Sequence, residues 1–270
     1  MSLHVKAGLK KYPTMKEVNK NLNLSVVKAF KLLDVYLNNK EAWGVRELAK
    51  KTGYNKTTTY RLLSTLESLD IVQKNDDDKY ILGLKLFELG NLVSVHKSLR
   101  NFSRIPLENI AKEIKETVHF GVLRNNKVLY LNKAESELGL KVSTQIGSYQ
   151  QAYCSALGKV LLAFSSKKQI SDYLKNVKLD AYTSNTITRP EALLIELEQI
   201  RKKEYALDME ELEVGLICIA IPVFNKNKDV VAGISVSGPS SRFKPENVQS
   251  YLAIIRKGAL EIENHVHDYS

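Results

Sequence analysis

The sequence predicts an α+β protein of two domains, on three observations. Its 270 residues fill two domains at about 150 residues apiece. The first third reads as short helices punctuated by glycine and closed by a pair of strands. The remainder reads as strands in pairs with helices between them and no strict β–α–β alternation, the pattern of an antiparallel sheet with helices packed on it. Hydrophobic residues make up 44% of the chain and charged residues 26%, so each part has the apolar surface to bury a core of its own.

Residues 1–22 mix lysine, asparagine and isolated apolar residues without a period and read as an arm or a poorly fixed first helix. From Leu24 the apolar Val26, Phe30, Leu33 and Leu37 recur at steps of four, three and four. That is a helix with Ser25 as its expected N-cap, broken by Asn38 and Asn39. Val45 to Thr52 forms a second helix with Leu48 and Ala49 inward, ended by Gly53. A third runs from about Lys56 to Leu69, with Leu62, Leu63, Leu66 and Leu69 on one face. Ile71–Lys74 and Lys79–Leu82 flank the polar tip Asn75-Asp76-Asp77-Asp78 as a β-hairpin. Gly83 to His96 is helical again. Leu84, Phe87, Leu89, Leu92 and Val93 make much of its surface apolar, so it is expected to pack on something, such as a second subunit.

In the second part a helix over Ile105–Glu116 is entered by Pro106 near its first turn. His119–Leu123 and Val128–Ala134 form a hairpin around Asn125-Asn126-Lys127, and Leu140–Thr144 is another strand. Ala156–Phe164 and Glu191–Glu204 are helices, Leu216–Phe224 and Val230–Ser237 are strands around a turn, and Glu246–Val266 is a closing helix.

Several classes are excluded. The best apolar stretch, Val214–Phe224, carries Pro222 and falls well short of the ~18 residues of a membrane span. Met1–Pro13 lacks the apolar run of a secretion signal. Cys154 and Cys218 are the only cysteines, which offers no disulfide framework. The expectation is a cytoplasmic protein with no membrane partner. The net charge of +10 is uneven: residues 1–98 hold 17 Lys and Arg against 10 Asp and Glu. A basic first third suggests an anionic polymer as partner, although lysine excess also serves solubility.

Two short helices around a tight glycine turn, then a hairpin, describe a winged helix-turn-helix. Such a fold points the start of its third helix into a major groove, where Lys56 and Arg61 can meet phosphates or guanine edges and the threonines can meet bases. Asn55 sits at the cap, so free backbone N–H groups there can hold a phosphate. Thr57-Thr58-Thr59 fits a reading surface better than a solvated face, because three β-branched residues cost helix propensity. A three-helix module for protein contacts is the competing reading. Asp76, Asp77 and Asp78 argue against a wing on phosphates: either the wing stays off the backbone or Lys74 and Lys79 make the contact.

These residues are specific enough to resemble a family. Arg46-Glu47-Leu48-Ala49-Lys50-Lys51-Thr52-Gly53 and Lys56-Thr57-Thr58-Thr59-Tyr60-Arg61-Leu62-Leu63 resemble the DNA-binding domain of IclR-family transcriptional regulators. Tyr80-Ile81-Leu82-Gly83, with Leu89-Gly90, is similar to that family's wing end and linker helix. Ala156-Leu157-Gly158-Lys159, Asn185-Thr186-Ile187-Thr188, Cys218-Ile219-Ala220-Ile221-Pro222-Val223 and Ser235-Val236-Ser237-Gly238-Pro239 are similar to its effector-binding domain. The resemblance spans roughly residues 24–265.

It implies a winged helix-turn-helix with its arm over 1–83, a linker helix over 84–98 and a GAF-like effector-binding domain over 99–270. It further implies a homodimer or homotetramer (a dimer of dimers) on a pseudopalindromic operator in double-stranded DNA, a small acidic organic effector, and no cofactor. The DNA-binding set is Arg46, Asn55, Lys56, Thr57, Thr58, Tyr60 and Arg61. Carried over residue by residue, the effector set is the backbone near Ala156 and Leu157 with Asp208, Cys218, Ser235 and Ser237. The residues themselves agree. Ser155 can cap a helix whose N-terminal end accepts a carboxylate, and Cys218/Ala220 and Ser235/Ser237 each alternate onto one strand face. The chain departs from the family at Gln151 and Tyr153, where Pro and His are frequent, and at Asp70, where Gly is usual.

Enzymatic chemistry finds little support. Cys154 or Cys218 with His119 as base lacks a local signature, no phosphate-cradling glycine motif is present, and with the histidines dispersed a zinc site from Cys154 and distant histidines is a minor alternative. A nucleic-acid-binding module fused to a small-molecule enzyme domain is the alternative carried forward.

Overall fold

A computed structural model describes residues 22–38, 41–138 and 144–266. The chain divides into two compact units with the boundary between Ser94 and Val95. The expected strand over Leu140–Thr144 lies outside the described residues except for Thr144, as does nearly all of the N-terminal arm.

In the first unit α1 (Leu24–Leu33) is capped by Asn23 rather than Ser25: the Asn23 side chain accepts from the backbone N–H groups of Ser25 and Val26. The apolar run continues past α1 as a 3-10 turn over Asp34–Asn38. α2 (Val45–Thr52) ends at Gly53, whose φ of 75° takes the left-handed turn that a side chain resists. α3 (Lys56–Ser68) follows, and β1 (Val72–Lys74) pairs antiparallel with β2 (Tyr80–Leu82). Trp43 bridges to Tyr80 and widens this hairpin into the core. That core comprises Leu32, Val35, Tyr36, Trp43, Leu48, Leu63, Leu66, Val72 and Tyr80. Leu69 is exposed, because the chain leaves α3 there; Asp70 then takes a positive φ of 56°, which aspartate tolerates.

The helix expected over Gly83–His96 is interrupted. α4 (Leu84–Asn91) stops after Gly90 and Asn91, two poor helix formers, where Leu92 and Val93 donate back to the Leu89 and Gly90 carbonyls and tighten the last turn. α5 then runs from Ser94 to Ile114, through Pro106 rather than from it. Leu99, Ser103, Pro106, Leu107 and Ile110 are buried along one face, and that burial outweighs the single hydrogen bond the proline removes.

The second unit is built on a six-stranded antiparallel sheet in the order β5-β4-β3-β8-β7-β6. The strands are β3 (Thr117–Arg124), β4 (Lys127–Ala134), β5 (Tyr149–Gln151), β6 (Ala206–Met209), β7 (Leu216–Phe224) and β8 (Val230–Pro239). Asn125 and Asn126, both at positive φ, make the β3–β4 turn. On one face α5 and α9 (Val248–Glu263) cover Val118, Phe120, Ile219, Ile221, Ile234 and Val236. On the other, α6 (Ala156–Ala163), α7 (Lys167–Asn176) and α8 (Pro190–Lys203) pack over Val128, Tyr130, Cys218 and Ala220. Periodicity missed α7, β5 and β6. β5 and β6 are three and four residues long, and α7 buries only Ile170 and Tyr173. Among the described residues no helix is long and apolar enough to cross a membrane.

Candidate functional site

Two polar surfaces stand out, one in each unit. The first is the start of α3. The Asn55 side chain accepts from the Thr58 N–H at 2.7 Å, so it is spent on capping the helix. Lys56, Thr57, Tyr60 and Arg61 are exposed and Thr58 is half-buried. Thr57, Tyr60 and Arg61 stand at i, i+3 and i+4 and share a face. Thr59 is turned inward instead, fully buried, with its hydroxyl donating to the Asn55 carbonyl. Arg46 is exposed near the start of α2. Among the described residues Arg46, Lys56 and Arg61 take part in no ion pair, whereas the hairpin lysines do: Lys74 pairs with Asp78 at 3.4 Å and Lys79 with Asp77 at 4.0 Å. The hairpin tip thus neutralises its own cations.

The second surface is the sheet face under α6. Strand register lines up Asp208, Cys218, Ser237 and Thr117 across β6, β7, β8 and β3, and beside them Ala220, Ser235, His119 and Lys133 across β7, β8, β3 and β4. The alternation that sends Val118, Ile219, Ile234 and Val236 to the opposite core sends these residues here. α6 sits tightly over this face: a side chain on Gly233 would meet Leu157 at 2.6 Å and one on Gly121 would meet it at 3.2 Å. The Ser155 hydroxyl caps α6 by accepting from the Gly158 N–H, which leaves the amides of Ala156 and Leu157 without an intrahelical acceptor. The register and these contacts therefore gather all six expected effector residues around one sheet face.

The electrostatics of this face follow from burial. Asp208 is 1% exposed; loss of water pushes its carboxyl up to about 7, while the Glu211 N–H donating to it at 2.7 Å pulls it down. Burial likewise raises the thiols of Cys154 and Cys218, with the charge of Asp208 adding to both, so neither is a ready nucleophile. His119 is pushed down to about 3 by burial and by Lys133, so it is neutral and a weak base. Among the described residues no cluster could hold a metal ion.

Sequence reading left three members of this region out of the binding set. Lys159, 1% exposed on α6, is held by Glu211 and by Glu196 at 3.2 Å. His119 was weighed only as a catalytic base. Tyr130 packs its ring 4.9 Å from His119 and lies within electrostatic reach of Cys218, Asp208 and Cys154. The alternation of Val118, Phe120 and Val122 carried the signal for His119, since it puts position 119 on the opposite face.

Comparison with known proteins places both units in one family. Residues 25–76 match the family described as "IclR helix-turn-helix domain" and residues 92–264 match "Bacterial transcriptional regulator IclR C-terminal". The chain is 38% identical over 248 residues to the HTH-type transcriptional regulator KdgR of Escherichia coli, covering 91% of this chain and 94% of that protein. It is 30% identical to the HTH-type transcriptional regulator KipR of Bacillus subtilis over 91% of this chain and 98% of that one. The crystal structure of the Thermotoga maritima IclR protein matches with a TM-score of 0.72 at 34% identity, over 90% of this chain and 98% of that one. These relatives are regulators and not enzymes, which sets aside the fused enzyme domain. With both surfaces and both family matches in place, the chain belongs to the IclR family of bacterial DNA-binding transcriptional regulators.

Proposed function

We propose that this regulator reads a pseudopalindromic operator as a homodimer or dimer of dimers and releases or retains it in response to a small monocarboxylate bound under α6. The division of labour is 1–83 for DNA, 84–98 for transmission and 99–270 for sensing, with the protein acting in the cytoplasm where its operator is. The observation that carries the sensing role is the buried row Asp208–Cys218–Ser237 beside the uncapped amides of Ala156 and Leu157. A helix N-terminus offers N–H donors to a carboxylate, and Ser235 and Ser237 offer hydroxyls to the rest of the molecule.

At α3, Thr57, Thr58, Tyr60 and Arg61 face bases, while Arg46, Lys56 and the first-turn amides that the Asn55 cap leaves free hold phosphates. Support for self-association comes from the apolar surface left on α4 and its C-cap, where Leu84, Phe87 and Leu92 are each at least two-thirds exposed. An effector moves DNA affinity only as far as it prefers one arrangement of the dimer, typically by about 1–3 kcal/mol.

The test is selection of bound duplexes from a random library at ~150 mM salt, where non-specific binding is weak. The expected result is an enriched inverted repeat, followed by release from it when carboxylic acids are screened. Ser235→Ala is expected to lose the ligand response and keep operator binding. No enriched sequence from folded protein would end this reading.

A further inference from the structure

Among the described residues two buried polar atoms of this region lack a hydrogen-bond partner, Glu211 Oε2, whose other oxygen is held by Lys159, and His119 Nδ1. His119 is 1% exposed and its Nδ1 makes no hydrogen bond. Buried imidazole nitrogens are almost always paired, so an orphan on a ligand-facing surface marks a place where a ligand atom belongs. The rest of the ring is fixed. Nε2 is 2.6 Å from the Thr144 hydroxyl, and Tyr130 lies against the ring at 4.9 Å. Lys133, which sits opposite His119 on β4, donates to the Thr144 carbonyl at 3.0 Å and holds that partner in place. On the other side of β3, His119 is in register with Ser235, and the neighbours on this face are small: Gly121, Gly233 and Ala220. The Leu157 side chain of α6 covers Gly121 and Gly233, so the start of α6 and the imidazole border the same stretch of sheet.

We infer that His119 is a specificity-determining contact of the effector site, where its Nδ1 pairs with a hydroxyl of a hydroxylated monocarboxylate whose carboxylate lies at the start of α6. The inference rests on the sensing role proposed above. A hydroxyl is the matching group because it serves either tautomer. If Thr144 donates to Nε2, Nδ1 carries the proton and needs an acceptor; if Nε2 donates to Thr144, Nδ1 is itself the acceptor and needs a donor. A carboxylate serves only the tautomer with the proton on Nδ1, whereas a hydroxyl serves both. Ser235, beside it, extends the same preference to a second oxygen. An unsubstituted alkyl chain would leave both groups unpaired, so the site discriminates against it.

The test uses the full chain and matched pairs of acids of equal length, glycerate with propionate and gluconate with hexanoate, titrated by calorimetry. The expected result is that at least one hydroxylated acid binds about tenfold or more tightly than its unsubstituted partner, the scale of one buried hydrogen bond. His119→Phe is expected to erase that ratio, and His119→Gln, which keeps an amide in place, to restore part of it. The melting temperature of each variant reports whether it folds. In parallel, 15N-labelled histidine in the wild-type protein places the readout on the ring itself: its nitrogen resonance moves with the hydroxylated acid and not with the unsubstituted one.

Equal binding of both members of every pair, or an unmoved histidine resonance on saturation, overturns the role of His119 and leaves the carboxylate sensor standing. Failure of all four acids to bind a protein that still holds its operator overturns the ligand class and the sensing role together.

Discussion

The reading face of α3 and the sheet face under α6 are both polar, yet they are built on opposite terms. On α3 the residues come from two turns of one helix, stay in water, and keep their cations out of ion pairs. Under α6 they come from β3, α6, β6, β7 and β8 and are withdrawn from water. A charge on the first face is cheap to keep and free to meet phosphate. On the second, every charge has to be neutralised or partnered, which is why Lys159 is clamped by two glutamates and Asp208 is driven toward its protonated form. Substitutions should therefore act on stability in the second unit and on affinity in the first.

The contrast is broken most forcefully at Lys159. Lys159→Ala leaves Glu211 buried without its cation and is expected to cost about 3–5 kcal/mol, read as a lower urea midpoint. A midpoint equal to wild type would mean that the pair is solvated. Asp208 comes next. Its folded-state pKa of about 7 lies above the ordinary 3.8, so the folded protein holds that proton more tightly than the unfolded chain. Stability is complete below the ordinary value and falls as pH rises toward 7, where the loss levels off. Asp208→Asn removes this penalty. Its stability relative to wild type should grow through that window by on the order of 2–4 kcal/mol, and denaturation at a series of pH values would expose a flat difference.

On the exposed face the effects are smaller and appear in binding. Arg61→Ala should cost about 1–3 kcal/mol of operator affinity and relax preference at one base pair, with little change in melting temperature. Lys56→Ala should weaken all sequences alike and lower the salt slope by about 1. Smallest is the hairpin tip: replacing Asp77 and Asp78 with Asn frees Lys74 and Lys79 from their pairs. If the wing lies beside phosphates, non-specific affinity rises by less than about 1 kcal/mol and the salt slope steepens. An unchanged slope places the wing away from DNA.

The same contrast explains what could be read in advance. The DNA-reading face was legible because it is local. The 3.6-residue period separates Thr57, Tyr60 and Arg61 from Leu63 and Leu66, whereas Thr59, read with its two neighbours as part of the exposed surface, proved to share the buried face at i, i+4 and i+7. Helix ends were harder. Asn23 and Ser25 are both good caps, and Pro106 looked like a beginning until the buried face on either side of it carried the helix through. The effector residues were named through family likeness, since nothing in the spacing of Asp208, Cys218 and Ser237 says that they meet.

By itself, then, the sequence determined the class of fold, the hairpins around Asn125-Asn126 and Asn75–Asp78, the cap at Asn55 and the turn at Gly53, because each depends on neighbours a few residues apart. Only the tertiary structure decided that β3 lies against β8 and so brings His119 beside Ser235, and that Leu157 of α6 lies across them at Gly121 and Gly233. Strand register across distant segments is selected by the joint burial of whole faces, a property no single stretch of chain carries. The buried Nδ1 of His119, without a partner among the described residues, is a product of that assembly, since in its own strand this is an ordinary histidine.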